Sequence, residues 1–164
     1  MTQSVPPSQP TDGNPFAQQP DAVPPAPPAP ARNNIALGIV AAVVAALVTA
    51  GIYGGIVGAT EYEIGYAAVG VGFVIGLAAG KIGGANPALP VVSAILSLGA
   101  VYLGQLIGFA AIGADELGVS LTTVLTDHFD VVTKVWSEEA DALTFVFLGI
   151  GAFAAFSGAK KAAA

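Results

Sequence analysis

The chain has 164 residues, of which 54 % are hydrophobic and only 10 % are charged, and its formal net charge at pH 7 is −6. A charged share this far below the soluble average of about 25 % argues against an ordinary soluble domain, and the absence of a basic patch argues against a nucleic-acid-binding surface. Because the sequence has no cysteine, disulfides, thiolate metal sites and thiol redox chemistry are excluded.

Residues 1–34 are predicted to form a disordered, proline-rich cytoplasmic tail. Ten of the 12 prolines fall in this segment, and such a composition cannot bury enough apolar surface to offset the entropy lost on ordering. The run from Val23 to Pro30 favours an extended polyproline II conformation. It could dock into the aromatic groove of a protein partner. The favoured interpretation is a spacer that keeps the rest of the chain clear of its neighbours, because composition alone identifies no partner.

Four apolar stretches without Asp, Glu, Lys or Arg follow the tail. They are Ile35–Gly58, Ile64–Gly80, Leu89–Ile112 and Ala142–Phe156. A helix needs about 20 apolar residues to cross a bilayer, and a soluble core helix would still need a polar stripe. We therefore expect an all-α, polytopic membrane protein whose membrane domain covers residues 35–159. The predicted spans are about 35–58, 62–80, 89–112 and 140–158.

The positions of the basic residues predict the orientation. If the N-terminus is cytoplasmic, four of the five basic residues lie inside and only Lys134 lies outside, which agrees with the positive-inside rule. The four are Arg32, Lys81, Lys160 and Lys161. Both termini are then cytoplasmic, and residues 160–164 form a short basic C-terminus. The predicted location is the inner (plasma) membrane of a bacterium, with the lipid bilayer as the first partner.

A tight turn is predicted between the first two spans. Thr60 and Glu63 have the spacing of a capping box, with Thr60 as the N-cap of the second helix.

The segment from Tyr62 to Gly76 (YEIGYAAVGVGFVIG) resembles small uncharacterised bacterial membrane proteins that join a soluble tail, proline-rich or zinc-binding, to a few Gly/Ala-rich helices. The Ala/Gly/Val-rich composition is similar to that of actinobacterial proteins. This resemblance implies no known activity and no site residue, and the chain lacks the cysteines of a zinc-binding tail.

Residues 115–136 are predicted to form an amphipathic helix on the outer surface. Apolar side chains recur there at steps of three and four residues, from Leu117 to Trp136, with polar residues between them. Because the segment is acidic, packing on the bundle rather than attraction to anionic lipid should hold it in place. Ser137, Glu138 and Glu139 are expected to supply the N-cap and the first-turn acids of the fourth span.

Glycines spaced four residues apart are the strongest packing signal in the sequence. In lipid, small residues at this spacing let helix backbones approach closely. The helix-packing residues predicted in this way are Gly51, Gly55, Gly58, Gly72, Gly76, Gly80, Gly104 and Gly108. They could serve packing within one chain, which is the favoured interpretation, or homo-oligomerisation through a spare face.

Candidate chemistry is sparse. Ser97 and Gln105 lie on the third span and are expected to make interhelical hydrogen bonds, whereas the absence of ionisable groups from the spans argues against a proton- or ion-coupled transporter. His128, between Asp127 and Asp130, could form a weak cation or pH-sensing site. Adjacent helical residues point in different directions, however, so a solvated polar face is favoured. No catalytic, cofactor-binding or metal-binding residue is predicted.

The sequence thus favours a non-enzymatic membrane protein, an accessory or scaffold component that presents its flexible cytoplasmic tail. The alternative is a small oligomeric pore or transporter subunit for a neutral solute. The partners expected are lipid, a possible second copy of the chain and a possible protein bound to the tail.

Overall fold

A computed structural model describes residues 33–164, and 85 % of these residues are helical, with no β-strand among them. The prediction of an all-α fold is therefore confirmed for this part of the chain. Arg32 and all of the predicted tail except Asn33 and Asn34 lie in residues 1–32, outside the described residues. The helices are α1 (Ile35–Thr60), α2 (Ala67–Gly83), α3 (Ala88–Leu117), α4 (Leu121–Asp127), α5 (Phe129–Glu139) and α6 (Ala142–Ala162).

Three of these helices, α1, α3 and α6, are long and apolar enough to cross a membrane. Helix α2 is also apolar but has only 17 residues, which correspond to about 25 Å at a rise of about 1.5 Å per residue. The predicted second span, residues 62–80, therefore differs from the observed helix at both ends.

The capping box predicted at Thr60 and Glu63 does not form. Thr60 closes α1, where its hydroxyl donates a hydrogen bond of 2.7 Å to the carbonyl oxygen of Ile56. The next residue, Glu61, adopts the left-handed conformation (φ 57°), which ends the helix. Residues 61–66 are non-helical, and the Glu63 carboxylate accepts a hydrogen bond from Gln105 on α3 instead of reaching back to Thr60. A tertiary contact has replaced the local cap.

Helices α1, α2, α3 and α6 pack as a bundle. The inner pair, α2 and α3, contact each other and both outer helices, whereas α1 and α6 share no contact within the described residues. Helix α1 runs parallel to α3, because Gly38 packs near Leu89 at one end and Gly58 near Ala111 at the other. Helices α2 and α6 run parallel to each other and antiparallel to the first pair.

The two ends of the bundle carry opposite charge. At one end, the backbone N–H of Asn34 donates a hydrogen bond to the Gly83 carbonyl oxygen (2.9 Å), and the side-chain nitrogen of Asn86 donates to the side-chain oxygen of Asn33 (2.9 Å). This end, called the basic end below, carries Lys81, Lys160 and Lys161. The opposite, acidic end carries Lys134 and nine carboxylates, which are Glu61, Glu63, Asp115, Glu116, Asp127, Asp130, Glu138, Glu139 and Asp141.

A short pair of helices, α4 and α5, covers the last turns of α3 at the acidic end. Val124 of α4 and Val132 of α5 are buried in a cluster with apolar residues of α3. These α3 residues are Leu106, Ala110 and Ala114. We call α4 and α5 together the cap.

The single amphipathic helix predicted over residues 115–136 is instead divided between three elements. Residues 115–117 belong to α3, which ends at Gly118 in the left-handed conformation (φ 63°). Ser120 then starts α4 by accepting a hydrogen bond of 3.1 Å from the Thr123 amide, and His128 separates α4 from α5. Chain reversal at Gly118 folds the segment back on α3, which a continuous helix could not do.

The start of the fourth apolar helix also differs from the prediction. Ser137, Glu138 and Glu139 belong to α5, and Asp141 is the N-cap of α6. One carboxylate oxygen of Asp141 accepts hydrogen bonds from both the amide (2.8 Å) and the hydroxyl (3.0 Å) of Thr144.

Candidate functional site

Glycines of α2 fix its contact with α6. A Cβ atom added at Gly72, Gly76 or Gly80 would clash with a backbone carbonyl oxygen of α6, in turn that of Gly151, Ala155 and Ala159. The contacting residues are spaced four apart on both helices, so the two backbones are in contact over about two turns. This is the close backbone approach that small residues four positions apart permit.

Helices α1 and α3 meet in the same way but less tightly. A Cβ at Gly104 would lie 3.1 Å from the Ala50 carbonyl oxygen, and a Cβ at Gly58 would lie 2.6 Å from the Ala111 side chain. Gly108 packs against Val57. The contact therefore includes three of the glycines that the sequence marked, together with Gly54, which packs against Gly104 and Ile107.

Two of the predicted packing glycines lie elsewhere. Gly51 and Gly55 are exposed on α1, and within residues 33–164 no heavy atom comes within 4 Å of a Cβ built at either position. They therefore take no part in packing between the described helices.

Of the residues used to predict the orientation, Lys81, Lys160 and Lys161 share the basic end, where the Lys160 ammonium lies 5.5 Å from the centre of the Phe156 ring.

A chain of side-chain hydrogen bonds joins three elements at the acidic end. The Trp136 indole nitrogen, on α5, donates to Oε1 of Gln105 over 2.9 Å. Nε2 of Gln105, on α3, donates to Oε1 of Glu63 in the loop between α1 and α2. Gln105 is only 2 % exposed, so both halves of a buried amide are paired, as burial of a polar group requires.

The orientation of the Gln105 amide follows from its partners. An indole N–H can only donate, so the amide oxygen must face Trp136 and the amide nitrogen must face Glu63. Glu63 then receives the donated hydrogen on a carboxyl oxygen. Trp136 is held further by its neighbours, because its ring packs edge-on to those of Tyr102 (centroids 4.7 Å apart) and Phe145 (6.4 Å). The cap, the α1–α2 loop and the bundle are thereby connected through one glutamine.

Beside this chain lies a cavity of about 180 Å³, called the acidic-end cavity below. It is lined by residues from α1, α2, α3, α6 and the segments that join them. Its polar lining consists of Tyr53, Glu63, Gln105, Glu139, Asp141 and Thr144, and its apolar lining of Gly65, Ala68, Val101, Leu143, Phe147 and Leu148. Tyr53 is 2 % exposed, and its hydroxyl has no hydrogen-bond partner among the described residues.

Two carboxyl groups that line this cavity, those of Glu63 and Asp141, have pKa values shifted in opposite directions. Burial, followed by the negative charges of Asp141 and Glu139, raises the pKa of Glu63 above its ordinary value. The hydrogen bonds from the Thr144 backbone and side chain lower the pKa of Asp141. Asp141 is therefore the more readily ionised of the two, and its charge adds to the cost of ionising Glu63.

The sequence pointed to several of these residues but assigned them other contacts. Gln105 was expected to bond between spans, whereas its partners are the loop residue Glu63 and Trp136 of the cap. Ser97 was expected to bond likewise, but its buried hydroxyl has no partner in the part of the chain that the structure describes. Tyr53 was not among the residues predicted for a site. The signal available in the sequence was a tyrosine set among glycines of α1 and followed within ten residues by Glu61 and Glu63.

His128 does not belong to the acidic-end cavity. It lies between α4 and α5 and lines a separate groove of about 280 Å³ with Phe109, Val124 and other residues of the cap and α3. Over residues 33–164, no group of three or more His, Cys, Asp or Glu side chains is arranged to hold a metal ion.

No protein-family model matches the chain, and no curated protein or solved structure matches it.

Proposed function

We propose that the chain is a non-enzymatic membrane protein that crosses the inner membrane of a bacterium four times, with both termini in the cytoplasm. In this proposal it acts as an accessory or scaffold component, with the tail of residues 1–34 on the inside and the cap on the outside. The observation that carries the proposal is the segregation of charge, since the described lysines other than Lys134 occupy one end of the bundle and the carboxylates occupy the other.

The surface between the two ends supports a membrane location. Large apolar side chains are widely exposed there, for example Leu47 (60 %) on α1, Ile95 (63 %) on α3 and Phe153 (70 %) on α6. A monomeric soluble protein rarely exposes apolar patches of this extent, whereas lipid would solvate them at no cost. The positive-inside rule then assigns the basic end to the cytoplasm.

Helix α2 is the span that needs a separate argument, because its 17 residues only just reach the usual range of about 17–25. It packs against α1, α3 and α6, so most of its surroundings are protein rather than lipid. The loop that follows Thr60 returns toward the bundle and is bonded to Gln105 through Glu63. Non-helical backbone at the depth of the membrane is tolerated where protein, rather than lipid, surrounds it.

A second candidate function is an oligomeric pore or transporter subunit for a neutral solute. The exposed pair Gly51 and Gly55 favours it, because small residues four apart on a lipid-facing helix permit a close contact with another copy. The glycine contacts between α2 and α6 leave no space for a conduit between those two helices. A pore would therefore have to lie between copies.

Cysteine labelling tests the orientation directly, since the sequence has no cysteine. Lys161→Cys and Asp127→Cys each supply one thiol, at the basic end and in the cap. In intact spheroplasts, a membrane-impermeant maleimide should label the Asp127 variant, and label the Lys161 variant only after lysis. The reverse pattern, or recovery of the protein in the supernatant after high-speed sedimentation without detergent, would overturn the proposal.

Crosslinking in native membranes separates the two candidate functions. A defined heterologous partner that is lost on deletion of residues 2–31 supports the scaffold, and a closed ring of identical subunits supports the pore. Gly55→Leu should abolish such a ring. Gly99→Leu is the matched control, because Gly99 is likewise exposed with no heavy atom of the described residues within 4 Å of an added Cβ, but lies on α3.

A further inference from the structure

The acidic-end cavity holds a buried polar group that the fold itself does not satisfy. Tyr53 lines the cavity, is 2 % exposed, and its hydroxyl lacks a partner within residues 33–164. A buried hydroxyl without a hydrogen bond costs about 1–3 kcal/mol. The second buried side-chain atom of this kind, Oγ of Ser97, lies beneath Gly72 of α2 and is not part of the cavity lining. Of the two residues, Tyr53 is thus the one that lines the cavity.

The charge around the cavity has one sign. Glu63, Glu139 and Asp141 line it from three different segments, and among the described residues no lysine, arginine or histidine is part of the lining. A positive ligand would therefore be attracted and a carboxylate or phosphate repelled. The remaining walls are apolar, and Phe147 and Tyr53 supply aromatic rings that can face a cation.

We propose that the acidic-end cavity binds a small primary alkylammonium ion, with its N–H groups donating to the Tyr53 hydroxyl and the Glu63 carboxylate. This inference goes beyond the proposed function and does not depend on the orientation of the chain in the membrane.

The geometry favours an organic cation over a metal ion. Among the described residues, no three carboxylate or imidazole side chains are close enough together to hold a metal, so the negative groups surround the space rather than converge on one point. The volume of about 180 Å³ exceeds the roughly 150 Å³ of a cavity that accepts benzene. A short alkyl chain fits this space, where it would contact Val101 and Leu148.

The neighbouring hydrogen bonds prepare the carboxylate for such a ligand. The Gln105 amide occupies Oε1 of Glu63 and is itself fixed by Trp136, which leaves the second oxygen of Glu63 to accept from an ammonium group. Because each primary ammonium carries three donors, it can bond Tyr53 and Glu63 together. A quaternary ammonium has the same charge but no donor, and it cannot make either bond.

The fluorescence emission of Trp136 can report binding, since Trp136 is the only tryptophan in the chain and donates a hydrogen bond to Gln105 beside the cavity. The full chain in lipid nanodiscs is titrated with n-propylammonium chloride, with sodium chloride at equal ionic strength as the blank. Tryptophan emission and isothermal calorimetry are recorded in parallel. We expect saturable binding of n-propylammonium, and binding at least about tenfold weaker for tetramethylammonium.

Two variants and a matched control identify the residues. Tyr53→Phe and Glu63→Gln should each weaken n-propylammonium binding by at least about tenfold. Glu61→Gln removes a carboxylate from the same loop that does not line the cavity, and it should leave the dissociation constant within about twofold. Tyr53→Phe should also unfold no more easily than the wild type, since it removes an unsatisfied hydroxyl. That result distinguishes a binding role from a structural one.

Four results would each overturn the proposal. They are the absence of saturable binding by both emission and calorimetry, equal affinity for tetramethylammonium, tighter binding of calcium chloride at the same ionic strength, and unchanged affinity in both Tyr53→Phe and Glu63→Gln.

Discussion

Trp136 donates its indole N–H to the side-chain oxygen of Gln105 over 2.9 Å, although 31 residues separate them in the chain. This bond joins the cap to the bundle, and the second half of the same amide joins the bundle to the α1–α2 loop through Glu63. Gln105 is therefore the residue on which the arrangement of the acidic end depends.

Replacing Gln105 by Met, which keeps the length of the side chain, should lower the free energy of unfolding by about 1–3 kcal/mol, because Trp136 and Glu63 both lose a partner. The free energy can be measured by SDS titration followed by circular dichroism. Trp136→Phe removes only the first bond. A double-mutant cycle between the two positions should give a coupling energy of about 0.5–3 kcal/mol, and additive effects would contradict the bond.

Gly76→Ala should destabilise the bundle by about 1–3 kcal/mol, since the new methyl group would meet the Ala155 backbone, which cannot rotate away. Gly70→Ala is the matched control on the same helix. Its Cβ would meet no heavy atom within 4 Å in the described structure, and the higher helix propensity of alanine should make it neutral or stabilising by up to about 1 kcal/mol. Equal thermal unfolding temperatures for the two variants would contradict the proposed α2–α6 contact.

Two buried serines of α3 should respond in opposite directions to alanine. Ser97 is fully buried without a hydrogen-bond partner within the described residues, so Ser97→Ala should raise the free energy of unfolding by up to about 1 kcal/mol. Ser93 is equally buried but donates to the Leu89 carbonyl oxygen over 2.7 Å. Ser93→Ala should cost about 1 kcal/mol. Thermal unfolding in one detergent would compare them, and a loss of stability in both would show that Ser97 has a partner.

Stability should depend on pH through two carboxyl groups with opposite shifts. The raised pKa of Glu63 means that the folded state binds its proton more tightly than the unfolded state does. The associated stability is therefore present below the ordinary pKa of the carboxyl group and is lost as the pH rises through the raised value. The lowered pKa of Asp141 has the reverse effect, so that stability is lost as the pH falls through its lowered value.

Unfolding temperature should therefore pass through a maximum between these two ranges. Glu63→Gln should remove the decline on the alkaline side. Asp141→Asn, which keeps an oxygen for the cap, should remove the decline on the acid side. Glu61→Gln should leave the decline on the alkaline side in place, because Glu61 is not among the charges that raise the pKa of Glu63. A wild-type profile that rises steadily from acid to neutral pH would contradict the assignment to Glu63.

Much of the helical architecture could be predicted from the sequence. Uncharged apolar stretches of sufficient length marked α1, α3 and α6. The capping box at Thr60 and the continuous helix over residues 115–136 were wrong, because each pattern was read as a local signal. In the folded chain Glu63 bonds to a distant glutamine, and the reversal at Gly118 allows the cap to pack on α3.

The sequence by itself determined which segments are helical, which surfaces are apolar and that the charges divide between two ends, because these properties follow from composition and short-range periodicity. Only the tertiary structure decided that Gly72 packs while Gly55 remains exposed, and that Tyr53, Glu63 and Asp141 surround one cavity. These outcomes depend on the mutual rotation and register of helices far apart in the chain. A glycine spacing of four residues is compatible with several rotations, and packing selects one of them.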